Sequence, residues 1–273
     1  MTIKASPLPL ISVFGPSGTA KSHIIKTYYE EFCVKENWAK GKRPVFDFEL
    51  SVDANKRQLQ VDALTSLRDP DPEKGNDSAL RRRVSKIAAD QEIELGLADE
   101  IQHVVASDTG KSTNSVGDAV KKILNTGIFS MALFGTDKAT RIFESGEEVA
   151  QRADWRFELS GLDSESQKDR TLFIEFLRTF STGIEQRGVL RSAKTLEAME
   201  TLGNLFLQTG GRLGLSQRIM KASVRVALER GAGTLLPAHF AIAIARGKKL
   251  FGLTENVFED YAEKLDAEHG GLK

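Results

Sequence analysis

The sequence is poor in the residues that build disulfide frameworks and metal clusters. Its single cysteine, Cys33, excludes an internal disulfide and a cysteine-based zinc site. The four histidines are scattered and form no metal-binding pattern. Net charge is also absent, because 38 lysines and arginines balance 38 aspartates and glutamates. Any contact with nucleic acid would therefore depend on a local basic patch, not on the overall field of the protein.

Long hydrophobic runs are lacking as well. No apolar stretch approaches the length of a membrane span, and the N-terminal residues do not follow the pattern of a cleaved signal peptide. We therefore expect a cytoplasmic protein with no membrane segment. The 273 residues suffice for one large domain or two small ones with a substantial core.

A buried strand, a glycine turn and the start of a helix follow one another near the N-terminus. After the apolar segment that begins at Leu10, a phosphate-loop pattern runs through Gly15, Pro16, Ser17, Gly18, Thr19, Ala20, Lys21 and Ser22. In such a loop, backbone N–H groups and a helix N-terminus surround phosphate oxygens. We expect Lys21 to neutralise the β and γ phosphates of ATP and Ser22 to hold a magnesium ion.

One position departs from this pattern. The motif Gly-x-x-x-x-Gly-Lys-Ser has glycine where the chain has Ala20. We expect alanine to be tolerated there if the residue has a helical φ angle. The alternative is a strand-to-helix turn with incidental glycines, but the lysine and serine in register favour nucleotide binding.

Acidic and polar residues end two later apolar segments. The segment from Ile93 to Val105 predicts a strand that ends in Asp99 and Glu100. We expect the first carboxylate to face the water shell of magnesium and the second to activate the attacking water. A strand predicted over Phe129 to Ala139 carries Thr136, which could reach the γ-phosphate. Taken alone, an ordinary strand-terminating turn explains Thr136 better.

Hydrophobic periodicity predicts an α/β protein with three layers and a parallel sheet of about five strands, followed by a helical domain. The other predicted strands are Pro44 to Ser51 and Arg156 to Leu162. Helices are predicted over Lys21 to Trp38, Asn55 to Leu67, Ser78 to Ala89, Val116 to Leu124, Glu147 to Arg156, Gln167 to Gln186, Thr195 to Gln208, Ser216 to Arg230 and Pro237 to Phe251. Because the strands stop after Leu162, we expect domains over residues 1–162 and 163–250 and a tail over 251–273.

A short basic helix is predicted between the second and third strands. It carries Arg81, Arg82, Arg83 and Lys86, and Lys74 precedes it in a loop rich in proline and glycine. By themselves these charges favour a solvated helix face over a binding surface.

Five segments together resemble the TniB/TnsC group of AAA+ ATPases. They are GPSGTAKS (15–22), LADEIQHV (97–104), ALFGTDKA (132–139), EEVAQRADWRFEL (147–159) and TGGRLGLSQRIMKASVRVAL (209–228). The resemblance implies an AAA+ core with a helical lid. It also implies a regulator of DNA transposition that assembles with ATP on duplex DNA as a ring or helical filament. Such a protein recruits transposase and target-selection factors and is released by ATP hydrolysis.

The resemblance also implies roles for individual residues. Lys21 and Ser22 match the Walker A positions, Asp99 and Glu100 the Walker B pair, Thr136 the sensor and Arg152 the arginine finger that acts on a neighbouring subunit. Leu215 stands where relatives can carry a sensor arginine, so that role is missing or belongs to Arg212 or Arg218. The predicted DNA-facing residues are Lys74, Arg81, Arg82, Arg83 and Lys86, with Lys111, Lys121 and Lys122 as outer candidates.

Other functions remain open at this point. A helicase loader or initiator-type AAA+ protein shares most of these motifs. A P-loop small-molecule kinase would need a substrate pocket, and the glutamate after Asp99 and the helical C-terminal region argue against it. An ATP-binding scaffold with little hydrolysis is a further possibility, because of Ala20 and the weak lid sensor.

Overall fold

The structure is a computed structural model, and it describes residues 8–35, 43–52, 54–103, 120–140, 153 and 155–262. The chain forms two compact units. The first unit contains residues 1–16 and 21–159, and the second contains residues 17–20 and 160–273. Within the described ranges, no helix is long and apolar enough to cross a membrane.

A five-stranded parallel sheet organises the first unit. Its strands are β1 (Leu10–Phe14), β2 (Val45–Glu49), β3 (Leu95–Asp99), β4 (Ser130–Gly135) and β5 (Trp155–Glu158). They lie in the order β2-β3-β4-β1-β5, and every neighbouring pair is parallel. The carboxyl ends of β1, β3 and β4 therefore meet at one edge of the sheet, where ligands of open α/β folds bind.

Alternating residues of the strands enter two hydrophobic cores on opposite faces of the sheet. One face packs with α1 (Lys21–Lys35), whose Ile25 joins Leu97 and Phe134. The other face packs with α2 (Lys56–Ser66) and α3 (Asp77–Asp90). Both of these helices begin at an asparagine N-cap, because the Asn55 and Asn76 side chains accept hydrogen bonds from the first-turn N–H groups. Helices on both faces give the unit its three layers.

Four helices of the second unit lie wholly within the described residues. They are α4 (Gln167–Gln186), α5 (Met199–Thr209), α6 (Leu213–Glu229) and α7 (Pro237–Phe251). Aromatic and aliphatic side chains from all four helices form one core, which also includes Phe258 after α7. Glycines end two of these helices in the left-handed conformation, Gly210 with φ 58° and Gly252 with φ 67°.

The α/β class, the parallel five-stranded sheet and the helical C-terminal region are confirmed. The domain limits at residues 162 and 250 remain predictions. Two predicted strands are shorter than expected, because β3 ends at Asp99 and β4 ends at Gly135. The helix predicted over Thr195 to Gln208 is interrupted, because Ala198 has an extended backbone between a 3₁₀ turn and α5.

Other differences concern single residues or lie outside the described ranges. Arg156, predicted both to end a helix and to begin the fifth strand, lies within β5. The rest of that predicted helix, the loop around Lys111 and the last residues predicted for α1 fall mostly outside the described residues. The segment predicted as helical before Leu124 is described only from residue 120, and residues 120–124 are helical.

Candidate nucleotide-binding site

The phosphate loop begins at a crowded glycine after β1. The Gly15 N–H donates to the Gly135 carbonyl at the end of β4, at 3.1 Å. A Cβ atom on Gly15 would lie 2.0 Å from the Leu159 carbonyl oxygen. This close backbone approach excludes any side chain at position 15, which explains glycine at the first position of the motif.

Lys21 is buried at the start of α1, and its side chain lies against the loop. Its Nζ donates to the carbonyl oxygens of Gly15, at 2.7 Å, and Pro16, at 2.9 Å. Burial lowers the pKa of Lys21 below its ordinary value, and the negative charges of Glu100, Asp99 and Asp137 partly oppose this shift. The ammonium group is therefore partly desolvated, a condition that favours pairing with phosphate oxygens.

Ser22 and Asp99 bring two oxygen ligands together beside this lysine. The Ser22 hydroxyl donates to Asp99 Oδ2 at 2.6 Å, and the other Asp99 oxygen accepts from the Glu100 N–H at 2.8 Å. Magnesium is usually held by one or two protein oxygens, with phosphate and water completing its shell. The Ser22–Asp99 pair fits this chemistry. No group of three acidic, histidine or cysteine residues suited to a metal is found in the described ranges.

Ala20 does not meet the condition under which we expected alanine to be tolerated. Its φ is +69°, in the left-handed region, and not helical. This region is costly for residues with a Cβ atom, which is why the motif has glycine at this position. The loop therefore carries strain one residue before Lys21, and the helical φ on which tolerance of alanine was conditional is not found.

Glu100 follows β3 in an unusual conformation. Its φ is +57°, and its side chain lies close to its own loop. Glu100 Oε2 accepts a hydrogen bond from the Gln102 amide and lies 3.7 Å from His103 Nε2. The pattern of apolar residues that predicted the strand contained no indication of these contacts.

Thr136 lies directly after β4. Its Oγ1 is buried and has no hydrogen-bond partner in the described part of the chain. Its backbone N–H donates to Gln102 Oε1 at 2.9 Å. A buried hydroxyl without a partner carries a free-energy cost, so this oxygen is available to a ligand that reaches it.

The tip of the phosphate loop belongs to the second unit, where it contacts the start of α6. The N–H groups of Gly214 and Leu215 donate to the Gly18 carbonyl oxygen at 2.9 and 3.3 Å. Arg212 Nη1 donates to the Ser17 carbonyl at 3.2 Å. Leu215 is buried. Gly18 has φ +86°, and a Cβ atom added to it would lie 3.1 Å from the Cβ of Leu215. Glycine is required there by both conformation and space.

Of the two arginines considered for the lid sensor, Arg212 lies beside the phosphate loop and Arg218 does not. Arg218 Nη2 donates to the Leu250 carbonyl at 2.7 Å, and its guanidinium carbon lies 5.5 Å from the centre of the Phe251 ring. Arg218 therefore caps the C-terminal end of α7. The structure does not support the prediction that Arg218 binds the cofactor. Sequence spacing alone had not distinguished the two arginines.

The predicted DNA-binding residues divide into two groups. Arg83 donates to Asp69 Oδ2 at 2.8 Å and to the carbonyl oxygens of Lys74 and Asp71 at 2.6 and 2.5 Å, so its guanidinium holds the loop before α3. In contrast, Arg82 and Lys86 are exposed one turn apart on α3, Lys74 is exposed, and Arg81 is half-buried. Arg83 therefore has a structural role, and DNA binding by these residues stays a prediction. Arg152 and Lys111 lie outside the described residues.

The sequence interpretation missed Gln102 and left Arg212 as one of two alternatives. Gln102 is two residues after Glu100, in a segment predicted to be a strand. A strand would place Gln102 on the same face as Glu100, but the chain turns at residue 100. No feature of the sequence predicted that the Gln102 amide would contact both Glu100 and Thr136.

Solved structures similar to this chain share its fold at low sequence identity. The Aeropyrum pernix ORC2 protein, in its ADPNP-ADP complexes, matches 88% of this chain with 13% identity and a TM-score of 0.62. The Aeropyrum pernix ORC1 protein in complex with DNA matches 87% with 12% identity and a TM-score of 0.60. The Walker-type ATPase PABY2304 of Pyrococcus abyssi matches 96% with 11% identity and a TM-score of 0.55.

These neighbours identify the fold as that of AAA+ ATPases. The match covers 62% of the ORC2 chain, 59% of the ORC1 chain and 71% of the Pyrococcus protein. Our chain thus spans about three fifths of the length of the two ORC proteins. A comparison with curated proteins found no match. The family model described as bacterial TniB protein matches residues 2–163, more than half of the sequence, and the chain therefore belongs to the TniB family.

Proposed function

We propose that this chain is a magnesium-dependent ATPase that assembles on duplex DNA and regulates DNA transposition. The observation that carries the proposal is the meeting of three strand ends at one edge of the sheet. The phosphate loop follows β1, the Asp99–Glu100 pair follows β3, and Thr136 follows β4. Each supplies a group that phosphoryl transfer to water requires.

Binding depends first on Lys21, Ser22 and Asp99. Lys21 pairs with the β and γ phosphates, so its nitrogen exchanges the carbonyl oxygens of Gly15 and Pro16 for phosphate oxygens. The Ser22 hydroxyl and Asp99 would hold Mg²⁺, which would supply positive charge to neutralise the phosphates. Arg212, beside the loop at Ser17, takes the place of the lid sensor.

Hydrolysis depends on Glu100 and Thr136. Glu100 accepts a proton from water, whose oxygen attacks the γ-phosphorus while the bond to ADP breaks. The unpartnered Oγ1 of Thr136 donates to the γ-phosphate or orients this water. Arg152 of a neighbouring subunit stabilises the charge of the transition state.

The test separates nucleotide binding from hydrolysis with two variants. In Lys21→Ala we expect ATP affinity to fall at least about tenfold, because a charge-assisted contact to phosphate is lost. In Glu100→Gln we expect ATP to bind with ordinary affinity, while the hydrolysis rate falls by about 10² or more. Affinity is measured with a fluorescent ATP analogue, and hydrolysis by phosphate release.

Lys26→Ala is the matched control for the lysine variant. Lys26 lies on the same helix, but it is largely exposed, and among the described residues it pairs with Glu30, at 3.8 Å. Its loss should leave ATP affinity unchanged. Hydrolysis at the normal rate by Glu100→Gln would show that another group activates the water.

The proposal of DNA binding and transposition control rests on family membership and on exposed charge. The chain belongs to the TniB family. Lys74, Arg82 and Lys86 provide exposed cations in a protein without net charge, which is the local patch that phosphate contacts need. The ORC1 structure, which is similar in fold to this chain, is a complex with DNA. In this proposal the DNA-bound oligomer recruits transposase and a target-selection protein, and ADP formation loosens it.

Electron microscopy with duplex DNA tests this assembly directly. We expect regular rings or filaments when Glu100→Gln is mixed with DNA and ATP, because the variant binds ATP without consuming it. Wild-type protein with DNA and ADP serves as the control and should not assemble. Monodisperse particles in every condition would contradict the proposal.

A helicase loader or initiator-type ATPase is the second candidate, and its support is the likeness to the ORC proteins. A pulldown from cells with the Glu100→Gln variant distinguishes the two candidates. Capture of a transposase or target selector supports the regulator, whereas capture of a replicative helicase supports the loader. Transfer of phosphate from ATP to a small molecule would instead indicate a kinase.

A further inference from the structure

A glutamine in the loop after β3 contacts the chemical groups at two strand ends. The Gln102 amide nitrogen donates to Glu100 Oε2, and its oxygen accepts from the Thr136 N–H at 2.9 Å. One side chain therefore joins the loop that carries the proposed base to the end of β4. Glutamine can make both contacts at once because its amide is a donor at one end and an acceptor at the other.

The end of β4 leaves room for this bridge. A Cβ atom on Gly135 would lie 2.8 Å from Gln102 Oε1 and 2.7 Å from Ile101 Cγ2. Gly135 is not among the residues with positive φ, so its backbone conformation does not require glycine. Space for the loop that carries Gln102 is therefore what excludes a side chain at position 135.

The bridge leaves one oxygen of Glu100 available. The Glu100 backbone is held by Asp99 Oδ1, which accepts its N–H at 2.8 Å, and Oε2 accepts from Gln102. Oε1 has no hydrogen-bond partner in the described part of the chain. We propose that Gln102 is a positioning residue that holds the Glu100 carboxylate against the end of β4, so that Oε1 accepts the proton of the attacking water.

This inference rests on the proposed ATPase function and assigns Gln102 no proton transfer of its own. A neutral amide does not take a proton at ordinary pH, so its effect must pass through Glu100. Small displacements of a catalytic group can cost about a hundredfold in rate. A carboxylate released from Gln102 would regain rotamer freedom and would spend less time in the reactive geometry.

Two variants at position 102 test the contacts. Gln102→Met keeps the length of the side chain and removes both hydrogen bonds. We expect kcat for ATP hydrolysis to fall about tenfold or more, with ATP affinity within about twofold of wild type. Gln102→Glu keeps an acceptor for the Thr136 N–H but places a second carboxylate beside Glu100 Oε2, and we expect a loss at least as large.

Gln91→Met is the matched control. Gln91 is also half-buried and donates one hydrogen bond, to the Leu67 carbonyl at 3.2 Å, before β3 begins. Its replacement should leave kcat unchanged. Thermal melting of all variants identifies any loss of rate that follows from unfolding.

A double-mutant cycle supplies the readout that a merely structural role would not give. We expect the residual hydrolysis of Glu100→Gln to be unchanged when Gln102→Met is added, because Gln102 acts through the Glu100 carboxylate. Additive losses would overturn the inference, as would wild-type or faster hydrolysis by Gln102→Met. If Glu100→Gln is inactive but Gln102→Met is fully active, only this inference fails. If Glu100→Gln hydrolyses ATP at the wild-type rate, Glu100 is not the base and this inference fails with that assignment; if the wild-type protein does not hydrolyse ATP, the proposed function itself fails.

Discussion

Strained backbone occurs at two single residues that are, or directly precede, proposed functional groups. Ala20 and Glu100 have φ angles of +69° and +57°, a region that residues with a Cβ atom seldom adopt. One precedes the lysine of the phosphate loop, and the other is the proposed base. Strain of this kind persists where the surrounding structure maintains it, and it is common at functional sites.

Replacing Ala20 with glycine should stabilise the protein. The left-handed conformation costs a residue with a Cβ atom about 1–2 kcal/mol, and the larger backbone entropy of glycine in the unfolded chain offsets part of the gain. We expect the free energy of unfolding to rise by about 0.5–1 kcal/mol in denaturant titrations.

Ala245→Gly is the control for this prediction, because Ala245 is exposed in the interior of α7. There glycine should lower stability by about 1 kcal/mol. A decrease of similar size in Ala20→Gly would contradict the observed φ.

At the scale of elements, side chains stabilise a helix end and a helical hairpin by hydrogen-bonding to backbone atoms. His239, in the first turn of α7, is buried, and its Nδ1 accepts from the Leu236 N–H at 3.0 Å. Arg57 and Arg83 bind carbonyl oxygens of the loop between α2 and α3. Both arrangements satisfy polar backbone atoms that would otherwise need water.

The contact of His239 predicts a loss of stability in acid. Burial, and secondarily the charge of Arg230, lower the pKa of His239 below its ordinary value of 6.5. The unfolded chain therefore binds the proton more readily, so this stability is present above about pH 6.5 and is lost as pH falls through the folded pKa. We expect the difference in unfolding free energy between wild type and His239→Asn to narrow from pH 7 to pH 5.

His239→Asn suits this test because asparagine keeps an acceptor near the Leu236 N–H and does not titrate. The exposed His23→Asn is the control. A difference that stays constant across the pH range would show that the pKa of His239 is the same in the folded and unfolded states.

Variants in the helical hairpin of α2 and α3 distinguish a cation that stabilises the fold from cations that are proposed to bind DNA. We expect Arg83→Ala to lower the free energy of unfolding by about 2 kcal/mol, because three charge-assisted contacts to the loop are lost. The Arg82→Ala, Lys86→Ala double variant should change stability by less than about 0.5 kcal/mol per residue. It should also weaken DNA binding and reduce its salt dependence.

The two measurements for this prediction are denaturant titration and DNA affinity at several salt concentrations. Equal loss of stability in both variants would contradict the structural role of Arg83. Unchanged DNA affinity in the double variant would show that this face of α3 does not contact phosphates.

At the scale of the whole molecule, the absence of net charge means that binding must come from local features. The 38 positive and 38 negative side chains cancel, so no overall field attracts nucleic acid. A shared site between subunits would likewise depend on individual side chains. The proposal that Arg152 acts on a neighbouring subunit can therefore be tested by mixing variants.

We expect Arg152→Ala and Glu100→Gln to be inactive separately and to hydrolyse ATP when mixed. In a mixed oligomer, the intact Arg152 of one subunit completes the site that contains the intact Glu100 of the other. Phosphate release is measured against the mixing ratio, with Arg152→Ala, Glu100→Gln in one chain as the control partner. Absence of restored activity in oligomers shown to be mixed would indicate that the arginine acts within its own subunit.

The sequence by itself determined the fold class and proposed most residues of the candidate nucleotide-binding site, because both depend on local patterns. Buried parallel strands appear as apolar runs, and the phosphate loop is contiguous, so its lysine and serine follow from spacing. The carboxyl ends of parallel strands share one edge of the sheet, which explains why Asp99 and Ser22 could be brought together from sequence. Their contact at 2.6 Å agrees with this expectation.

Only the tertiary structure decided what depends on backbone turns and on side chains distant in sequence. The left-handed turn at Glu100 directs the following residues away from a strand, and Gln102 thereby contacts Thr136, 34 positions later. The sequence does not distinguish Arg212 from Arg218 as a lid sensor. Their different hydrogen-bond partners appear only in the folded structure. Arg83 resembles its basic neighbours until the loop carbonyl oxygens that it binds are in place. Local patterns describe which face a residue occupies, whereas partners across the fold depend on how the whole chain packs.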